Sequence, residues 1–469
     1  MREIEADYLV VGAGASGMAF VDVLVAEADV DVVLVDRRHG PGGHWLDAYP
    51  FVRLHQASAN YGVNSRTLGN DRVDDSGTNA GFYERATAAE IVDYFRHVLD
   101  DLVASGRVRF FGMSDYRGWD GDGHRFVSLL TGAETKVTVR RKVVDATYVE
   151  STIPSRHTPA FEADPGVRLV SPNDLVDLHE PASGFTVIGA GKTAMDTCNW
   201  LLDAGVDPDR IEWIRCRDPW IFNREFNQPL ERVGAYMQLQ ARFIEAAAEV
   251  GDSRSFAHHL EAGDVLMRID PNVEPEAFRG AILSVAELES LRRIERVVRH
   301  GRVLRIGTDR VDMQDGSVAS DPHRVFVDCT AAGVRPTVPL PVFDADRITL
   351  QYVTLGIVPW SAATLGVVEA SRDDEADKNR LCPPLTFTGN VSDLLRLAHT
   401  HMVGQLARSA EPDLAAWTEG CRLNPSRGAL DHLDDPRVPA AFASLGSNIG
   451  AAMANLSRIA ATPPSSQPA

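Results

Sequence analysis

The sequence is short of several things, and each shortage narrows the field. Five cysteines occur in 469 residues, Cys198, Cys216, Cys329, Cys382 and Cys421, and no two are close neighbours in the chain. A C-x-x-C redox pair is therefore absent, and an odd, scattered set does not make a disulfide framework. A reducing, cytoplasmic setting is expected. No run of 18 or more apolar residues occurs, so no membrane span is expected. The first residues lack a basic stretch followed by a long apolar one, so no secretory leader is expected either. Positive charge is in deficit: 47 Lys and Arg against 66 Asp and Glu give −19. That balance argues against nucleic acid or an anionic membrane as a general partner. Any anionic ligand must be met locally, by helix N-termini and a few placed arginines.

What is present is globular: 44% apolar and 24% charged residues. The length calls for two or three domains. From Ala461 onward, ATPPSSQPA reads as a disordered tail.

Tyr8–Val11 is a short apolar run of strand type that leads into Gly12-Ala13-Gly14-Ala15-Ser16-Gly17. Met18, Val21, Leu24 and Val25 follow at helical spacing, and a second apolar run, Val32–Val35, ends in Asp36. Strand, G-x-G-x-x-G, helix, strand and acid form a dinucleotide-binding pattern. Gly12 permits the turn, Gly14 lets the backbone approach a pyrophosphate, Gly17 lets helix and strand pack closely, and Asp36 accepts from a ribose. The helix N-terminus offers unpaired N–H groups to the phosphates.

The pattern returns about 175 residues later. Phe185–Ile188 leads into Gly189-Ala190-Gly191-Lys192-Thr193-Ala194 and a helix to about Asp203. The next apolar run, Ile211–Ile214, ends not in an acid but in Arg215-Cys216-Arg217. Two guanidinium groups at that strand end suit a 2′-phosphate, which makes NADPH the expected ligand, with Lys192 adding charge at the phosphates. Two such units exclude a single-cofactor dehydrogenase, and the missing dithiol excludes a disulfide reductase. The expected fold is α/β, with two Rossmann-type dinucleotide-binding domains.

Beyond Asp36 the chain resembles the flavin-containing and Baeyer–Villiger monooxygenases. Gly42-Gly43-His44-Trp45 matches their GG-x-W, and Tyr49-Pro50-Phe51-Val52-Arg53-Leu54-His55-Gln56-Ala57-Ser58 matches their Y-P-G-x-R-x-D-x-x-S segment. Ala86-Thr87-x-x-Glu90 resembles their A-T-x-x-E helix start, a capping box, and Arg217-Asp218-Pro219-Trp220 their R-x-P-x-W. By that resemblance the first site holds FAD, with Gly43, Trp45 and Ser58 beside it, and Arg53 and His55 over the isoalloxazine as catalytic candidates. His55 stands where Baeyer–Villiger enzymes place an aspartate, so a group titrating near neutrality is expected there. Val143–Thr147 and Val325–Gly333 resemble paired returns to the FAD domain, and the proline-rich Val334–Val342 continues into it. Phe387-Thr388-Gly389-Asn390 and the helical run Leu394–Leu406 resemble the C-terminal FAD motif. The implied domains are 1–155 and 326–460 for FAD, 156–325 for NADPH with substrate-side helices, and 461–469 as the tail, with the NADPH domain inserted into the FAD domain.

The resemblance implies a monooxygenase: NADPH reduces FAD, and a C4a-(hydro)peroxyflavin transfers one oxygen from O2 to a small organic substrate. The segment before the second turn, Gly166–Asn173, lacks the family's F-x-G-x-x-x-H core. An FAD/NADPH reductase without oxygen insertion, or a flavin-binding sensor, therefore stays open. His258-His259 and His399-x-His401 have no accompanying ligand set, so no metal is expected. Residues 221–300 read as substrate-side cover, Asp373–Asp377 as an exposed loop, and a homodimer is a possible assembly.

Overall fold

The computed structural model describes residues 2–333, 338–356 and 358–460. The expected tail and the start of the proline-rich Val334–Val342 connection lie outside the described residues.

The first unit begins with β1 (Arg2–Val11), α1 (Ala15–Glu27) and β2 (Val32–Val35). After a long loop come α2 (Ala88–Ala104), β3 (Val108–Phe111), β4 (Ser114–Trp119), β5 (His124–Ser128) and β6 (Glu134–Asp145). The sheet order is β3-β2-β1-β6-β5-β4. β2 is buried along its whole length, as a parallel strand covered on both faces must be, which explains four consecutive aliphatic residues. α2 starts at the Thr87–Glu90 capping box read from the sequence.

The chain then builds three further sheets. β7 (Glu162–Ala163), β8 (Arg168–Val170) and β9 (Phe185–Ile188) precede α3 (Lys192–Asp203) and β10 (Ile211–Ile214). β11 (Pro219–Asn223), α4 (Val233–Glu249), α5 (Ser253–Ala262), β12 (Leu266–Met267), β13 (Ala277–Leu283) and α6 (Val285–Arg292) form the cover. β14 (Val297–Val298), β15 (Val303–Ile306), β16 (Arg310–Met313), β17 (Gly316–Ala319) and β18 (Val325–Asp328) follow. The sheet that carries the second Gly-rich turn is β14-β10-β9-β18-β8, the cover sheet β12-β11-β13, and the last β17-β16-β15-β7.

β18 corrects one expectation. Val325–Asp328 pairs in parallel with β8 and β9 of the second unit and does not return to the first. The return is β19 (Arg347–Thr349), which lies parallel to the C-terminal end of β6, while the other end of β6 carries β5. A parallel strand buried along its whole length satisfies either sheet equally, so its sequence does not say which sheet it enters.

From β19 the chain runs into α7 (Val358–Ser371), buried on nearly every side and packed along α1. α8 (Glu375–Leu381) follows, capped by Asp374, so the acidic stretch 373–377 is largely a helix start and not a loop. Glu375 pairs with Lys142 and Lys378. α9 (Leu394–Ser409), α10 (Pro412–Gly420) and α11 (Arg437–Ala460) complete the chain, with α11 lying along α4.

Candidate active site

The first Gly-rich turn separates what the fold requires from what a ligand requires. Gly12 has φ +106°, a conformation that disfavours side chains. A Cβ on Gly17 would collide with the carbonyl oxygen of Gly12, and one on Gly43 would lie 2.9 Å from the Gly14 Cα. Gly14 differs. Its φ is −73°, and a Cβ there would meet nothing nearer than 3.6 Å. In the second turn, Gly189 has φ +135°, while Gly191 has φ −85° and a Cβ there would meet nothing within 4 Å. Gly14 and Gly191 both cap helices, α1 and α3, whose first N–H groups face outward.

Asp36 is buried at the end of β2. Its Oδ2 accepts from the Ala13 N–H at 2.6 Å and its Oδ1 from the Arg38 N–H at 2.7 Å. Each oxygen keeps acceptor capacity, so Asp36 anchors the turn and stays able to take a ribose hydroxyl.

Gly43–Asp47 forms a short 3-10 turn in which Trp45 Nε1 donates to the Tyr61 hydroxyl at 2.7 Å. Ser58 is buried, and its hydroxyl accepts from the Ala86 N–H at 2.8 Å, holding the loop to the approach of α2. Between them, Tyr49 and Phe51 reach the second unit. Tyr49 donates to Asp196 at 2.8 Å, Thr193 lies against the same hydroxyl, and Phe51 stacks on Trp200 with ring centres 4.9 Å apart. Lys192 is paired with Asp196, and Ala194 is buried in the second core.

The two catalytic candidates part company. Arg53 is exposed and donates to the Arg85 carbonyl at 3.0 Å, on the outer side of a bridge to Thr87, so it does not line the interior. His55 faces inward. Burial first, then the cations Lys192, Arg85 and Arg224, against an opposing pull from Glu287, bring its pKa down to about 3. The neutral imidazole is favoured over the expected titration near neutrality, because an imidazolium would add charge beside Lys192, Arg85 and Arg224.

Those cations form a cluster that the sequence did not reveal. Arg85 donates to Glu287 Oε1 at 3.0 Å and Arg224 contacts Oε2 at 2.7 Å, with Arg224 fully buried. Burial acts to raise the Glu287 pKa, but Arg224, Lys192 and Arg85 override it and hold it at about 2. Arg85 belongs to the first unit, and Arg224 and Glu287 to the cover. A run of polar residues at 223–228 was the only signal, and it carried no pairing information.

The C-terminal flavin motif is also relocated. Gly389 accepts from the Phe278 N–H at 3.0 Å, and Asn390 bridges to Ala277 and accepts from Arg217 at 2.8 Å. Both residues sit beside the end of β10 and β13, not at the first Gly-rich turn. The element that meets the first Gly-rich turn is α7: Ser16, Leu350, Gln351, Tyr352 and Val358 line one small cleft. Its approach is pinned by Ser361, whose hydroxyl accepts from the Val353 and Thr354 N–H groups, each at 3.2 Å. The Thr354–Ser361 stretch that leads into α7 lacks an acidic marker, so the pattern was not visible.

At the end of β10, Arg215 is almost fully buried. It pairs with Asp218 at 2.9 Å and lies over the Trp213 ring at 4.7 Å. Asp218 is also held by Arg299 at 2.9 Å. Arg215 is thus enclosed beside Asp218, with its Nε and Nη1 making no hydrogen bond, and at 2% exposure it does not open onto a ligand surface, which corrects its assignment. Arg217 is half-buried and has no carboxylate partner among the described residues. No group of three or more potential metal ligands occurs among the described residues, and no described helix is long and apolar enough to cross a membrane.

Residues 10–73 match the model of an NAD(P)-binding Rossmann-like domain. Uncharacterized proteins of Mycobacterium tuberculosis and Mycobacterium bovis are each 43% identical over 440 residues, covering 93% of this chain and 81% of theirs. Among solved structures, the open form of cyclohexanone monooxygenase is similar with a TM-score of 0.51 and 15% identity, over 87% of this chain and 98% of that one. Its ε-caprolactone-bound form gives 0.50 and 14%, with the same coverage. The chain belongs to the family of the two mycobacterial proteins, and its fold is that of cyclohexanone monooxygenase.

Proposed function

We propose that this chain is an FAD-containing, NADPH-using oxidoreductase that inserts one oxygen atom from O2 into a small organic substrate. The observation that carries the reading is the pair Gly14 and Gly191. The fold leaves room for a side chain at both, so the small residue serves a ligand that comes close to the backbone. Both sit at helix N-termini suited to a pyrophosphate. They belong to two units joined directly through Tyr49 and Asp196.

In this reading, Gly12–Gly17 and Asp36 would hold the FAD pyrophosphate and ribose, with the start of α7 beside the same turn. Bound FAD supplies hydride acceptance and oxygen activation. The chain supplies position and dryness. Trp45 and Tyr61 fix one wall, and Tyr49 and Phe51 set the distance between the units. His55, held neutral, exchanges hydrogen bonds without contributing charge. Arg85, Arg224 and Glu287 close the cover against the first unit. A reducing cytoplasmic setting goes with this reading and is consistent with five free cysteines, four of them buried.

The test is a single-turnover experiment on purified FAD-loaded protein. NADPH without oxygen should bleach the flavin. Oxygen admitted with NADP+ still bound should return the oxidised spectrum only after a delay. Immediate return, with hydrogen peroxide equal to NADPH consumed, would favour hydride transfer without oxygen insertion. An unbleached flavin would overturn the enzyme reading.

A further inference from the structure

The reassignment of Arg215 leaves a question at the second nucleotide site: which groups read the far end of the nucleotide. In this fold the adenosine ribose lies beyond the C-terminal end of the second strand, here β10, where an acid normally takes its hydroxyls. The nearest acid in sequence, Asp218, is buried between Arg215 and Arg299 and is not available to a ribose.

Two other guanidinium groups do reach this end. Arg217 donates to Asn390 Oδ1 at 2.8 Å. Arg279, on the cover strand β13, donates to the Ala332 carbonyl at 2.7 Å, and its Nε lies 3.0 Å from the point where a Cβ on Gly389 would stand. The Gly389-Asn390 turn is therefore flanked by both arginines. Arg279 is exposed and Arg217 half-buried. Neither has a carboxylate partner among the described residues. The carboxylate on the same turn, Asp393, is engaged by Thr388, whose N–H and hydroxyl both donate to it. The Arg279 pKa is lowered, first by partial desolvation of the guanidinium along its stem and then by the charge of Arg217. In a chain of net charge −19, cations left to repel at a nucleotide-binding strand end are a receptor for a dianion.

We propose that Arg217 and Arg279 form a composite clamp for a phosphate monoester on the nucleotide ribose, with Arg279 the specificity-determining residue contributed from outside the nucleotide sheet. The inference rests on the proposed NADPH reading and deepens it. The dianion joins three segments far apart in the chain: the end of β10, β13 and the 389–390 turn. Selection of the phosphate thereby also fixes the cover on the nucleotide unit.

The probes are 2′,5′-ADP and 5′-ADP, titrated calorimetrically into FAD-loaded protein. Wild type should favour 2′,5′-ADP by about tenfold or more, as one or two charge-assisted hydrogen bonds supply. Arg279→Ala should erase about tenfold of that preference without weakening 5′-ADP, and Arg279→Lys should restore part of it. A second readout needs no turnover. Cys216, the one exposed cysteine of the five, lies next to Arg217 in sequence. Its alkylation by iodoacetamide should slow with 2′,5′-ADP in wild type and not in Arg279→Ala at the same concentration. A preference that survives Arg279→Ala but not Arg217→Ala overturns the composite clamp and leaves the NADPH reading standing. Equal binding of the two probes overturns the clamp in favour of NADH. Binding of neither overturns the nucleotide site itself, and the clamp with it.

Discussion

Tyr49 donates its phenolic proton to Asp196 at 2.8 Å, from the loop of the first Gly-rich unit to the first turns of the helix that opens the second. Burial first, and then the Asp196 charge, keep the phenol protonated far beyond its ordinary range, so its proton stays available to Asp196. The bond sets the two Gly-rich turns relative to each other, and Phe51 against Trp200 adds an apolar contact beside it. Tyr49→Phe should lower stability by about 0.5–1.5 kcal/mol. Flavin content should hold while the rate of flavin bleaching by NADPH falls. Denaturant titration and anaerobic stopped-flow absorbance measure the two effects separately.

Glycine substitutions should sort by what each glycine faces. Gly14→Ala and Gly191→Ala leave room for the methyl within the protein. Both variants should fold with near-wild-type circular dichroism, the first losing FAD and the second losing NADPH-dependent bleaching. Gly17→Ala drives a methyl into the Gly12 carbonyl and should fail to fold stably. A Gly14→Ala protein that retains full flavin would refute the pyrophosphate assignment.

Arg215→Met should act on stability and not on nucleotide preference. It would leave Asp218 buried with only Arg299 for charge compensation. Breaking one partner of a buried pair costs about 3–5 kcal/mol, and the surviving Arg299 should reduce that figure. Thermal melting reads the loss. A variant of normal stability that has lost discrimination between 2′,5′-ADP and 5′-ADP would restore Arg215 to the phosphate site.

Acid should destabilise the protein through histidines buried in the neutral form. Burial, then neighbouring arginines, bring His44 down to about 4 and His401 to about 3. His55 sits at about 3. In the unfolded chain each binds a proton below pH 6.5, while the folded chain does not until far lower. Stability therefore falls as pH drops from 6.5 toward 3, by about 1.4 kcal/mol per pH unit for each such group. His401 accepts from the Leu355 N–H at 3.2 Å, ahead of α7. His401→Gln keeps an acceptor and removes the proton uptake, so its stability should depend less steeply on pH. A denaturation series between pH 7 and pH 4 makes the comparison. For the same reason, His55→Ala should introduce no change in the pH profile of flavin reoxidation between pH 5.5 and 7.5.

Glu287→Gln tests the clasp between the units. Without that carboxylate, Arg85 and Arg224 face each other with no counter-charge between them. The loss should be about 3–5 kcal/mol. Limited proteolysis should then cut first in the segment joining Arg224 to α6.

The amino-acid sequence alone determined the two strand, Gly-turn and helix units, the capping box before α2 and the acid at the end of β2. Each is a local device whose parts lie within about twenty residues of one another, where turn conformation and helix capping act through neighbouring backbone. Tertiary structure decided the remainder. Arg215 and Arg217 are two residues apart and look alike in sequence, yet Asp218, Trp213 and Arg299 claim the first, while Asn390 and Arg279 flank the second. β18 joined the second sheet, because a strand buried on both faces is defined by the neighbours it hydrogen-bonds and not by its own pattern. The same holds for α7. Its apolar sequence fits any core, and only its return from β19 alongside α1 places its first turn beside the first Gly-rich turn.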